Sequence, residues 1–94
     1  MPTKTAPVAQ RLASQARGLV AAITSGLDNR KHHPTYGYTK AVLRADLHRL
    51  EGMLYAQALV ATGKQGASVR LQAIEAAEAL GIDLVALEKA IDAS

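Results

Sequence analysis

The sequence predicts an all-α protein: a long antiparallel helical hairpin followed by a shorter C-terminal helix pair, together forming a small helical bundle. Two observations carry this. Of the 94 residues, 19 are Ala and 12 are Leu, against 6 Val, 4 Ile and 3 Tyr, so strong helix formers far outnumber the β-branched and aromatic residues that favour strands. Apolar residues also recur at spacings of three, four and seven, separated by short clusters of Gly, Pro and polar residues. That is the pattern of helices joined by turns.

Residues 1–6 read as a flexible tail and residues 7–94 as one helical domain, with the hairpin over 7–62 and the C-terminal pair over 68–93. Pro7 suits the first turn of a helix, where its missing N–H has no partner to lose. Val8, Leu12, Leu19, Val20, Ile23 and Leu27 then fall on one stripe, predicting an amphipathic helix over 7–27 that ends near Ser25-Gly26. Pro34 and Gly37 break the chain, and Thr39 is placed to cap the next helix. Leu43, Leu47, Leu50 and Leu54 follow 4-3-4 spacing, the seam of a helix that packs on another. Ala58 and Ala61 continue it, and Gly63 ends it. Ser68 is the expected cap of a third helix over 69–80; Gly81-Ile82-Asp83 reads as stop, apolar contact and new cap before a fourth over 84–92.

Gly18 and Gly52 interrupt the two long helices, and each costs about 1 kcal/mol relative to Ala. A hairpin centred near residue 33 sets Gly52 opposite Ser14 and Gly18 opposite His48. Two accounts follow: close approach of the helix axes, or glycines on the solvent face.

Composition excludes several classes. With no Cys, disulfide frameworks, thiolate zinc sites and cysteine nucleophiles all go. No run of eighteen apolar residues exists to span a membrane, and the segment from Met1 to Pro7 lacks the apolar core of a secretory signal, so a cytoplasmic location is expected. A core built from Ala and Leu buries little area per residue, which favours a homo-oligomer sharing the leucine seam.

The net charge of +3 is unevenly spread. Residues 1–64 hold nine Lys and Arg against three Asp and Glu; residues 65–94 hold two against five. Arg30, Lys31, His32, His33, Tyr36, Tyr38, Lys40 and Arg44 lie within fifteen residues, and Lys40, Arg44 and His48 step by four along one helical stripe that Tyr55 continues. Cations bind phosphate, and tyrosine stacks on bases. The expected function is a non-catalytic binding or regulatory protein that holds an anionic ligand, a nucleic acid or nucleotide. Arg30, Lys31, Lys40 and Arg44 would bind phosphate, Tyr36 and Tyr38 would stack, and His33 would strengthen binding as it protonates. The alternative is a protein–protein adaptor, inhibitor or assembly factor of bacterial or phage type, acting through an exposed Leu/Ala seam. His32, His33 and His48 lack the thiolates and carboxylate spacing of a metal site. No nucleophile elbow, phosphate loop or dinucleotide fingerprint is present, so neither an enzyme nor a cofactor is expected.

The segment Ala76-Ala77-Glu78-Ala79-Leu80-Gly81-Ile82-Asp83-Leu84-Val85-Ala86-Leu87 resembles the helix-turn-helix of Fis-type DNA-binding domains. The resemblance covers about a fifth of the chain and rests on packing residues: Ala where two helices cross, Gly at the turn. It implies a second helix lying in the major groove. This sequence departs from that pattern by offering Asp83, Glu88 and Asp92 where such helices carry Arg, Asn or Thr.

Overall fold

A computed structural model of the chain describes residues 5–33 and 39–94. Among them are four helices and no strand: α1 (Thr5–His32), α2 (Lys40–Thr62), α3 (Val69–Ala79) and α4 (Leu84–Ala93). The all-α hairpin with a shorter C-terminal pair is therefore the observed architecture. Pro34, Thr35, Tyr36, Gly37 and Tyr38 lie outside the described residues.

α2 is the central element. α1, α3 and α4 all pack on it, α4 also touches α1 and α3, and α1 and α3 do not pack on each other among the described residues. The body measures 51 × 24 × 18 Å and has a radius of gyration of 14.2 Å. A compact chain of this length would give about 12 Å, so the molecule is a short rod, set by the ~42 Å length of a 28-residue helix.

The leucine seam forms as its spacing predicts. Leu43, Leu50 and Leu54 are fully buried, Leu47 is nearly so, and Ala58 extends the row, whereas Ala61 faces out. All four leucines are covered by the chain's own helices. The expectation of an exposed Leu/Ala seam is corrected: in this fold no partner reaches Leu43, Leu47, Leu50 or Leu54.

The face of α1 differs from the predicted stripe. Val8 is 42% exposed and Leu12 only half-buried, while Ala9, Ala13, Ala16 and Ile23 are buried. With the half-buried Val20 and Leu27, these residues make a 4-3-4-3-4 row. The row is turned from the Val8/Leu12 stripe because small side chains, rather than large ones, let the start of α1 settle close to its neighbour.

α1 also runs on past Gly26 to His32. Gly26 is buried inside the helix, and Arg30, Lys31 and His32 occupy the last turn, where positive charge complements the helix dipole. Packing and dipole together override the local stop signal.

The other boundaries obey local chemistry. The side chains of Thr39, Ser68 and Asp83 accept from the N–H groups of Val42, Leu71 and Ala86. Gly63 and Gly81 take the left-handed conformation at φ 71° and 75°. After α3, Ile82 N–H donates to Ala77 O at 2.7 Å and Gly81 N–H to Glu78 O at 3.1 Å. That is a Schellman turn, with Ile82 tucked into the core.

Gln72 is buried at 3% exposure and ties down the α2–α3 connection. Its Nε2 donates to Lys64 O at 2.8 Å and Tyr55 O at 3.4 Å, and its Oε1 accepts from Gly66 N–H. A Cβ on Gly66 would lie 2.7 Å from that oxygen, so any other residue there must push the Gln72 amide aside.

Gly18 and Gly52 both face solvent, and an added Cβ at either meets nothing within 4 Å. This decides against close approach of the axes at these positions. Gly18→Ala and Gly52→Ala should each raise unfolding stability by about 0.5–1 kcal/mol. Leu50→Ala, by contrast, should cost about 2–5 kcal/mol. Urea titrations of the three variants followed by circular dichroism check both.

Candidate anionic-ligand interface

The hairpin returns the start of α2 to the end of α1, and α4 runs back toward the same end of the rod. Arg30 Nε donates to Ser94 Oγ at 3.2 Å. Lys40 Nζ donates to Asp92 O at 2.9 Å, and the Arg44 guanidinium meets the Asp92 carboxylate at 3.0 Å. Lys31 is exposed beside them. It lines a cavity of about 410 Å³ with Leu27, Arg30, Ala90, Ala93 and Ser94. Four of the sequence-predicted cations, from α1 and α2, are thus gathered around the last turn of α4. The carboxylate of Asp92 pairs with Arg44. Glu75 instead pairs with Lys64 at 2.6 Å, and Asp83 caps α4.

Other members of the expected site are placed differently. His33 is exposed, and its N–H bonds to Asn29 O at 2.7 Å, prolonging α1 by one residue. Tyr36 and Tyr38 fall outside the described residues. His48 stays next to Arg44, lining one cleft with it, and its Nδ1 meets Glu51 at 2.9 Å; His32 meets Asp28 at 3.5 Å. Tyr55 is half-buried on the part of α2 where Gln72 docks. Among the described residues no group of three or more His, Asp or Glu side chains is placed to hold a metal ion. No helix among them is long and apolar enough to cross a membrane.

A second charged cluster escaped the sequence reading. Arg70 at the start of α3 makes a two-pronged bond to Glu88 of α4, at 2.7 and 2.8 Å, and reaches Glu51 of α2 at 3.5 Å. The hydrogen bond to Glu88 is the main cause that raises the Arg70 pKa. The same bond holds the Glu88 carboxyl below the ordinary carboxylate range; partial burial opposes it, and the charges of Arg70 and His48 add to it. These residues sit 18 and 19 positions apart, and nothing in local spacing reveals the pairing.

The helix-turn-helix segment does form a helix, a tight turn and a helix. Ala76, Ala77 and Ile82 are buried in the packing positions. α4 lies against α2 and α1, and its exposed side offers Ala86, Lys89, Ala90 and Ala93, a face with one cation flanked by Asp83 and Asp92.

No protein-family model, curated protein or solved structure matches this chain.

A group whose folded pKa is lowered stabilises the fold above its unfolded value, about 4.3 for Glu, and that stability is lost as pH falls through the folded value. Wild type should therefore unfold at a slightly higher temperature than Glu88→Gln at neutral pH. The gap should close as the solution is acidified through the lowered Glu88 value, and thermal melts across the acid range measure it. The gap is small because the pair is partly exposed.

Proposed function

We propose that this chain is a non-catalytic binding protein that holds a phosphate-bearing ligand, a nucleic-acid strand or a nucleotide, at the cationic end of its hairpin. The observation that supports this is the convergence of Arg30, Lys31, Lys40 and Arg44 on one end of the rod. Guanidinium and ammonium groups on two rigid helices present donors to phosphate oxygens without ordering a loop first. Lys31 and the half-exposed Arg44 reach the solvent directly. Tyr36 and Tyr38 add stacking to the proposal, and the exposed His33, next to the basic end of α1, adds a ring nitrogen that can bond a phosphate oxygen.

Binding of a fluorescein-labelled single-stranded oligonucleotide, read by fluorescence anisotropy, tests the proposal. Engagement of four phosphates by these cations gives a log–log salt slope of about −3, and so roughly fifty-fold weaker binding at about 200 mM than at about 50 mM salt. Combined replacement of Lys31, Lys40 and Arg44 by Ala should remove about two units of that slope and most of the affinity. Competition by ATP separates a nucleotide site from a strand site. Absence of binding to both probes at low salt overturns the proposal.

The second reading, a protein–protein module, is supported by exposed apolar side chains at the start of α3, with Val69 50% and Leu71 63% exposed. It no longer rests on the leucine seam. An interface of this kind hardly responds to salt, so the same titration distinguishes the two readings.

A further inference from the structure

We infer that the last turn of α4 is an internal stand-in for the ligand: Asp92 occupies Arg44 in the free protein, and a bound phosphate displaces it. The inference rests on the anion-binding reading above and assigns that site an internal competitor.

It comes from a contrast between two arginines. Arg70 engages Glu88 through both terminal nitrogens, at 2.7 and 2.8 Å, and adds Glu51. Arg44 engages Asp92 through one nitrogen, at 3.0 Å, and both side chains of that pair are 56% exposed. The first pair fastens α3 to α4. The second is a single-pronged surface contact, a kind that adds little to stability. A phosphate can take the whole guanidinium fork, which is the better geometry.

Lys40 lies one helical turn before Arg44 and donates to a neutral acceptor, the Asp92 carbonyl. A phosphate offers it a charge-assisted bond in exchange. One residue of α4 therefore supplies an acceptor to each of two adjacent cations on α2, where two ligand oxygens would sit. A cleft of about 270 Å³ bounded by Arg44, Leu47, His48, Glu88 and Asp92 opens beside the pair. Glu88 and Asp92 on its wall keep stray anions weakly held, so a ligand must bring enough negative charge to displace Asp92. That favours polyphosphates and strands over single anions.

Asp92→Asn keeps the shape and removes the competing charge. Glu78→Gln, an exposed position beside the turn before α4 and about 15 Å away along that helix, makes the same change in net charge beyond the reach of screened electrostatics. With the oligonucleotide at about 150 mM salt, Asp92→Asn should bind about two- to five-fold tighter than wild type, and Glu78→Gln should match wild type. Adding oligonucleotide to wild type should speed amide exchange over Ile91–Ser94, because that turn loses its cations. If wild type binds and depends on Lys31, Lys40 and Arg44, but Asp92→Asn and Glu78→Gln bind alike, the internal competitor is refuted while the site stands. If neither wild type nor Asp92→Asn binds even at low salt, the site itself is refuted. Binding by Asp92→Asn alone at about 150 mM salt, with wild type binding only at low salt, supports both.

Discussion

The fold depends on a size mismatch between two helix faces. α1 sets Ala16 against the core that Leu43, Leu47, Leu50 and Leu54 of α2 build, with Ala9 and Ala13 buried on the same face beyond that core. Small residues on one helix bring its axis near, and branched residues on the other fill the space between them. Leucines on both faces would hold the helices further apart; alanines on both would leave voids. Ile23 and Leu27 restore bulk toward the far end of α1, where α4 joins the packing.

α2 then serves as a common axle. One side takes α1; α3 and α4 take the rest in succession, turned by the Gly81-Ile82 corner. This succession brings α4's last turn to the end where α1 finishes and α2 starts. The charge arrangement is thus a consequence of helix lengths and one tight corner. Arg30, from the last turn of α1, and Lys40, from the start of α2, both meet the C-terminal end of α4, whose dipole favours positive charge. The Arg70–Glu88–Glu51 cluster performs a different service, joining three helices at one point on the side of the rod.

Much of this was legible from the residues, and the failures have physical reasons. Thr39, Ser68, Asp83, Gly63 and Gly81 could be read because a cap is decided within one helical turn. The leucine seam could be read because its spacing contrasts with polar neighbours. The face of α1 could not, because alanine gives no such contrast: Val8 and Leu12 outweigh Ala9 and Ala13 in any hydrophobic pattern, yet the geometry prefers the smaller pair. Gly26 reads as a stop because that judgement is local, and its burial inside the helix is not. The gathering of Arg30, Lys31, Lys40 and Arg44 followed from the hairpin alone. Asp92 did not, being 48 residues from Arg44, nor did Gln72, whose partners lie across a turn whose path sequence does not specify. His48 keeps its place beside Arg44 but is already bonded to Glu51, one turn on, a pairing that the four-residue stepping of the stripe does not show.

Gln72 and the alanines of α1 also imply an uneven distribution of rigidity. A single buried amide grips the backbone at Tyr55, Lys64 and Gly66, tying α2, its exit turn and α3 to one another. Ala9 and Ala13 are buried outside the main hydrophobic cluster, and the end of α3 meets α1 beyond those turns, where Leu80 O accepts from the Arg17 guanidinium at 3.3 Å. The first turns of α1 are therefore the segment that detaches at least energetic cost, a fraying strut on a frame whose other joints are pinned.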